Sequence, residues 1–223
     1  MKAANRAAGL NRILKFVLIL ALVVAMIPAM PGEAASTKSK AMAAFKKKLS
    51  ASTVTVLPKG KKVINLNDKK VTYKSSKTKN VKFAIAYIDN NNVPELILED
   101  PFYGYGVWAY KGGKVTCVLW GDSYCKTYGY YKKKGIYEDI TYSEGSPFTK
   151  SFYQYKNGKM TERLSKFVHQ EGRPEADYSF HNPYKEVSKA AFKKRLNSYV
   201  GKTAVTKLYL VKNTSSNRKK YLK

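Results

Sequence analysis

The chain has 223 residues, 44% of them hydrophobic, and its 42 basic against 15 acidic side chains give a formal net charge of +27. That length and apolar content suit one domain of ordinary size with a genuine core and require no second. Such a charge repels itself in any folded state and excludes cationic partners in favour of anionic ones.

Residues 1–34 read as a secretory signal peptide. Lys2, Arg6, Arg12 and Lys15 form a charged leader, Phe16 to Ile27 an apolar core, and Pro28 and Pro31 a break ahead of small residues. The apolar core is shorter than the ~20 residues that span a bilayer, which weighs against the rival reading, a retained membrane anchor. Cleavage is expected near Ala34. Residues 35–223 are then expected to form a single α+β domain: an antiparallel β-meander of about eight strands covered by two basic amphipathic helices, preceded by the signal-peptide helix.

Met42, Phe45 and Leu49 recur at helical spacing behind candidate caps at Ser36 and Thr37, which predicts a helix over 38–50. Val63 to Leu66 and Val71 to Tyr73 flank Asn67 and Asp68, which predicts a hairpin over 62–74. Residues 81–167 carry the expected meander. In it, Tyr110-Lys111-Gly112-Gly113-Lys114, Tyr131-Lys132-Lys133-Lys134-Gly135 and Tyr155-Lys156-Asn157-Gly158-Lys159 each set a tyrosine and a lysine before a glycine-bearing turn, and Asn157-Gly158 is the strongest hairpin signal. Phe83 to Ile88 is apolar on both faces and should be a central strand with the helices as its cover.

Beyond a loop at 168–186, Ser188 caps a helix over 188–200 whose stripe of Phe192, Leu196, Tyr199 and Val200 stops at Gly201. A strand at 207–211 and a short terminal helix at 214–221, capped by Asn213 or Thr214, complete the chain. Residues 43–49 and 190–196 differ only by Lys48 for Arg195. Coincidence among Ala/Lys-rich helices and duplication both explain this, and either way each helix has an apolar stripe to pack and a basic face to expose.

The charge is uneven. Residues 35–82 hold fourteen bases and one acid, residues 83–184 twelve of each, and residues 185–223 twelve bases and one acid. A neutral centre is flanked by two basic ends. Cys117 and Cys125 lie equally far from Gly121, so a hairpin turning there would face them across two strands. Export permits a disulfide, and two buried free thiols are the alternative.

Tyr87-Ile88-Asp89-Asn90-Asn91-Asn92-Val93-Pro94-Glu95-Leu96 resembles the calcium loop of FG-GAP-type repeats. The resemblance implies Ca²⁺ held by side chains of Asp89, Asn91 and Glu95 and by the Val93 carbonyl, because a tight loop turns alternate oxygens inward. Tyr87 stands where the family usually has Asp or Asn, and Asn92 where it has glycine, so the site implied is weak.

Aromatics are a second candidate. Trp108 and Tyr110 share one strand face, and Tyr124, Tyr128 and Tyr130 another. Exposed rings can stack on sugars or bases, although strand packing also explains them. Support for catalysis is thin: His169 and His181 read as loop residues without metal-ligand spacing, and no nucleophile elbow or phosphate loop is present. Glu138 and Asp139 alternate across a strand and so should face opposite ways. The expectation is an exported, non-enzymatic binding protein held at an anionic cell-wall polymer or membrane surface, with glycan as a further ligand. The alternatives are a secreted hydrolase and an extracellular nucleic-acid binder.

Overall fold

A computed structural model describes residues 31–143, 146–168, 176–181 and 183–223. The chain divides into two units, Met1–Ser36 and Thr37–Lys223. The expected signal-peptide helix lies, as far as residue 30, outside the described residues. Among the described residues, no helix is long and apolar enough to cross a membrane.

Helix α1 (Pro31–Ser50) begins upstream of the expected 38–50, so Ser36 and Thr37 lie inside it instead of capping it. Proline is tolerated in a first helical turn because its missing N–H has no partner there anyway. Two small ladders follow: β1 (Thr53–Val54) pairs with β4 (Ser76–Lys77), and β2 (Lys62–Ile64) with β3 (Lys70–Thr72) around Asp68, whose φ is 58°. A 3₁₀ turn (Thr78–Asn80) leads to β5 (Lys82–Ala86), β6 (Glu95–Asp100), β7 (Gly104–Lys111) and β8 (Lys114–Gly121). Then come β9 (Cys125–Tyr131), β10 (Ile136–Ser143), β11 (Ser146–Lys156), β12 (Lys159–Val168), β13 (Ala176–Phe180) and β14 (Lys185–Val187). The chain ends with α2 (Lys189–Val200), β15 (Thr206–Lys207), β16 (Val211–Lys212) and α3 (Ser215–Tyr221).

The architecture is α+β and β-rich, and among the described residues every strand pairing is antiparallel. Residues 81–167 do not make one sheet. The order β16-β5-β6-β7-β8 forms a five-stranded sheet and β14-β13-β12-β11-β10-β9-β15 a seven-stranded one. The break falls at Gly121, where an added Cβ would meet the Cys125 Cβ at 2.4 Å. The expected loop at 168–186 contains β13 and most of β14, which extend the second sheet. The single strand expected at 207–211 is two short strands: β15 joins β9, and β16 joins β5.

Three apolar layers follow from this division. Ala41, Met42, Phe45 and Leu49 of α1 pack with Phe83, Leu96, Leu98 and Trp108 on one face of the five-stranded sheet. Ala84, Ala86, Ile97, Val107 and Ala109 on its other face meet Tyr130, Tyr137 and Tyr155 of the seven-stranded sheet. The outer face of that second sheet offers Ile136, Phe152 and Leu164 to Phe192 and Val200 of α2. The order is therefore helix, sheet, sheet, helix. β5 is covered on both faces, but by a helix on one side and a sheet on the other, where two helices were expected.

Local signals set the helix ends. Ser188 Oγ accepts from Ala191 N–H at 3.2 Å, and Gly201, with φ of 60°, follows the last turn of α2. Thr214 Oγ1 accepts from Asn217 N–H at 3.2 Å to cap α3. Asn213 Nδ2 donates to Leu49 O at 2.9 Å and Arg218 Nη1 donates to Asn213 Oδ1 at 2.8 Å, so α3 closes the C-terminus of α1.

Candidate functional site

The connection from β5 to β6 is built on its own polar side chains. Asp89 Oδ1 accepts from Asn91 N–H at 3.1 Å, and Asp89 Oδ2 accepts from Asn91 Nδ2 at 3.0 Å. Asn91 Oδ1 accepts from Val93 N–H at 2.7 Å, and Asn92 takes the left-handed conformation with φ of 61°. Asparagine tolerates that region, so the turn forms without glycine. Glu95, at the start of β6, accepts from Ile88 N–H at 3.0 Å through Oε2 and is only 2% exposed. Burial pushes its carboxyl up to about 8, and the nearby Asp89 charge acts the same way. Asp89 is also raised, again by burial.

The structure thus brings Asp89, Asn91, Val93 and Glu95 into one loop. Both Asp89 carboxylate oxygens, Asn91 Oδ1 and Glu95 Oε2 accept hydrogen bonds from within that loop. Among the described residues, no three His, Cys, Asp or Glu side chains gather as a metal-binding group. Two carboxylates, one amide and one carbonyl are fewer donors than the six to eight oxygens calcium prefers. A cation here would have to take up the Glu95 carboxylate and displace its proton.

The loop is fastened to the turns of both sheets. Lys133 N–H donates to Tyr87 O at 3.0 Å and Gly135 N–H to Ile88 O at 2.7 Å, so the β9–β10 turn lies against it. Tyr155 N–H donates to Gly135 O at 2.7 Å, and Lys111 Nζ donates to Asn157 O at 3.5 Å. These bonds draw the β7–β8, β9–β10 and β11–β12 turns together with the loop at one end of the domain. Gly112, Gly113, Gly135 and Gly158 all have positive φ, as the turn pattern demanded.

A second polar cluster crosses the seven-stranded sheet. Asp139, Ser151, Ser165 and Ser179 are successive cross-strand partners on β10 to β13. Ser165 Oγ lies 2.7 Å from Ser179 Oγ and 2.9 Å from His181 Nε2, while His181 Nδ1 lies 3.7 Å from Glu162 Oε2. His181 lies in the turn after β13, as expected of a loop residue, and is part of a side-chain network; His169 lies outside the described residues. Serines spaced fourteen apart at 151, 165 and 179 were the available sequence signal. The order resembles nucleophile, base and acid, but the last distance exceeds a hydrogen bond. Ser165 is also only 9% exposed and sits on an ordinary strand within the ladder.

Glu138 and Asp139 face opposite ways. Glu138 accepts from Tyr131 OH at 2.8 Å and pairs with Lys150 at 3.4 Å, while Asp139 accepts from Tyr105 OH at 2.5 Å between the sheets. Burial pushes Asp139 up to about 7, against the lowering effect of the Tyr105 bond.

Of the rings expected to face a ligand, two are core and three, Tyr110, Tyr124 and Tyr128, are half-buried. Trp108 and Tyr130 are buried, and Trp108 Nε1 donates to Val56 O at 2.9 Å while Lys48 Nζ sits 3.5 Å from its ring centroid. The exposed tyrosines are Tyr142, Tyr184, Tyr209 and Tyr221. The cysteines are free, which corrects the disulfide expectation. Because the chain leaves the first sheet at Gly121, Cys117 packs beneath α1 and Cys125 between the sheets. No family model, curated protein or solved structure matches this chain. The likeness of residues 87–96 to FG-GAP loops therefore stands on those residues alone.

Proposed function

We propose that this is an exported, non-enzymatic binding protein retained at an anionic cell-wall or membrane surface. In this reading residues 1–34 are an export leader removed near Ala34, and residues 81–167 run as one up-and-down succession of eight strands continued through both sheets. The observation that carries the reading is exposure. Of the twenty-six bases in residues 35–82 and 185–223, all but Lys48, Lys82 and Arg218 are exposed. Each lysine near an anionic surface contributes on the order of 1 kcal/mol, so a few engaged together give useful retention. The Debye length of about 8 Å at physiological salt makes that attraction screenable. The protein should sediment with purified cell walls at 20 mM salt and be released at 500 mM; failure to sediment at low salt would remove the proposal.

Within the same reading, the Asp89–Glu95 loop is a weak calcium site. Support comes from Glu95, a buried carboxyl without a basic partner in the loop, which a divalent cation would compensate. Binding must release the Glu95 proton, so affinity should rise with pH towards and beyond 8. Calorimetric titration at pH 8.5 with no heat at millimolar Ca²⁺ would end it.

A second reading, a secreted hydrolase, is favoured by one observation: the 2.9 Å contact between Ser165 Oγ and His181 Nε2, with Glu162 on the far side of the ring. It predicts turnover of chromogenic esters that is lost in Ser165→Ala and kept in Ser179→Ala. No turnover by the unaltered chain would remove it.

A further inference from the structure

By count the centre of the chain is neutral, but the fold sorts its charges. The turns after β7, β9 and β11 carry Lys111 and Lys114, Lys132 to Lys134, and Lys156 and Lys159, seven lysines that are all exposed. The bonds from Lys111 to Asn157, from Tyr155 to Gly135 and from Lys133 to Tyr87 gather these turns into one rim, although they belong to two sheets. Lys38 of α1 adds a charge there, its Nζ 5.8 Å from the Tyr87 ring centroid.

Most carboxylates among the described residues lie away from this rim. Asp100 ends β6 and Asp122 follows β8, so both sit at the opposite end of the strands, and Glu138 and Asp139 are interior. Among the described residues, Asp89 and Glu95 are engaged within their loop, and Glu162, three residues past Lys159 on β12, lies 3.7 Å from His181 Nδ1. No ion pair among the described residues includes any of the seven lysines.

The geometry points to this rim, and not only the basic ends, as the docking surface, with a linear phosphodiester polymer as its partner. This rests on the retention reading above and names the surface and the partner. The composition of the rim decides among polyanions. A bilayer-docking surface places Trp, Phe or Leu into the headgroup region, and single-stranded nucleic acid needs exposed rings for stacking. Here the fully exposed residues are lysine, glycine and asparagine, while Tyr131 and Tyr155, which precede two of the turns, are buried and Tyr110 and Tyr87 are half-buried. Phosphate neutralisation is the contact left, and a flexible chain can follow a rim that curves over two sheets.

For single-stranded nucleic acid the slope of log K against log salt is about −0.7 per phosphate neutralised, and a flexible phosphodiester polymer should follow the same figure. Seven contacts predict a slope near −5, and so a loss of about 10³-fold between 50 and 200 mM salt. The test uses the full chain with fluorescein-labelled poly(glycerol phosphate), and separately with vesicles containing phosphatidylglycerol, followed by anisotropy and flotation across that salt range. The rim variant combines Lys132→Gln, Lys134→Gln and Lys159→Gln and leaves Lys133, whose φ is 61°, untouched. The control combines Lys193→Gln and Lys194→Gln on the exposed face of α2. The rim variant should keep its melting temperature, lose about 10²-fold in polymer affinity at 50 mM salt, and show a slope shallower by about 2; the control should change far less. Equal losses in both variants, or none in the rim variant, would overturn the rim as the surface while leaving retention standing. Vesicle binding without polymer binding would overturn the partner. If the unaltered chain binds neither probe at 50 mM salt, the retention reading itself falls.

Discussion

Replacing Glu95 by Gln should make the stability of this protein less sensitive to alkali. An acid whose pKa is raised by folding holds its proton more tightly in the folded chain. Stability is then full below the ordinary value of 4.5 and drains away as pH rises towards the folded value of about 8. While the unfolded chain is ionised and the folded one is not, the slope is about −1.4 kcal/mol per pH unit. From pH 6 to 7.5 that is about 2 kcal/mol, or about 4–8 °C in melting temperature for a unit of this size. Glutamine keeps an oxygen to accept from Ile88 N–H and has no proton to lose. Asp139, raised to about 7, contributes the same sign in both proteins, and so does the background of lysine repulsion. The informative quantity is therefore the difference between the two melting curves, taken by calorimetry from pH 5 to 9. It should grow in favour of the variant from about pH 5 and level off past pH 8. Millimolar Ca²⁺ at pH 8.5 should recover stability in the unaltered chain only. A difference that stays constant over the whole range would mean that Glu95 is ionised throughout, and the account of the loop would fail.

Other predictions test the layers. Phe45→Ala removes a fully buried ring between α1 and the first sheet and should cost about 3–5 kcal/mol in urea unfolding. Gly106→Ala places a Cβ 2.1 Å from Val56 O and 2.9 Å from Trp108 Nε1, so backbone must move. It should cost about 2 kcal/mol or more, whereas Gly112→Ala, in open space with φ of 57°, should cost about 1 kcal/mol. Thiol titration in denaturant without reductant should count two free thiols. In the folded protein both should react slowly, because burial pushes Cys117 up to about 12 and Cys125 to about 11.

What the sequence made legible was local. Ser188 and Gly201 bracket α2, Asn157-Gly158 turns a hairpin, and Asn92 adopts the left-handed turn, because each depends on a side chain acting within four residues of its own position. The partition into two sheets was not legible. A run such as Phe83 to Ile88 looks the same whether its second face meets a helix or a sheet, and only long-range pairing decides. The small residues Ala84, Ala86 and Ala109 let large tyrosines of the second sheet approach, a complementarity that exists only after folding. The cysteines show the same limit: equal spacing about Gly121 said nothing of the sheet break there. In the candidate site, the loop was visible as a motif, whereas the lysine rim needs three turns from two sheets and His181 needs strands β12 and β13 side by side.

Salt should act on this protein in two opposed ways, and the opposition follows from one cause. Forty-two bases against fifteen acids leave the free chain self-repelling, and among the described residues few lysines have a carboxylate at hand. Added salt screens that repulsion, so the melting temperature of the free chain should rise with ionic strength. The same lysines supply the attraction to a polyanion, so added salt should weaken binding. A bound polymer stabilises by RT ln(1 + L/Kd), where L is the free polymer concentration, to the extent that it binds the gathered turns of the folded chain more tightly than the unfolded one. Melting curves with poly(glycerol phosphate) should therefore lie above those without it at 50 mM salt and converge with them near 500 mM. Curves with and without polymer that run parallel at all salt concentrations would show that the excess positive charge does not govern binding, and a free-chain melting temperature flat in salt would show that it does not govern stability.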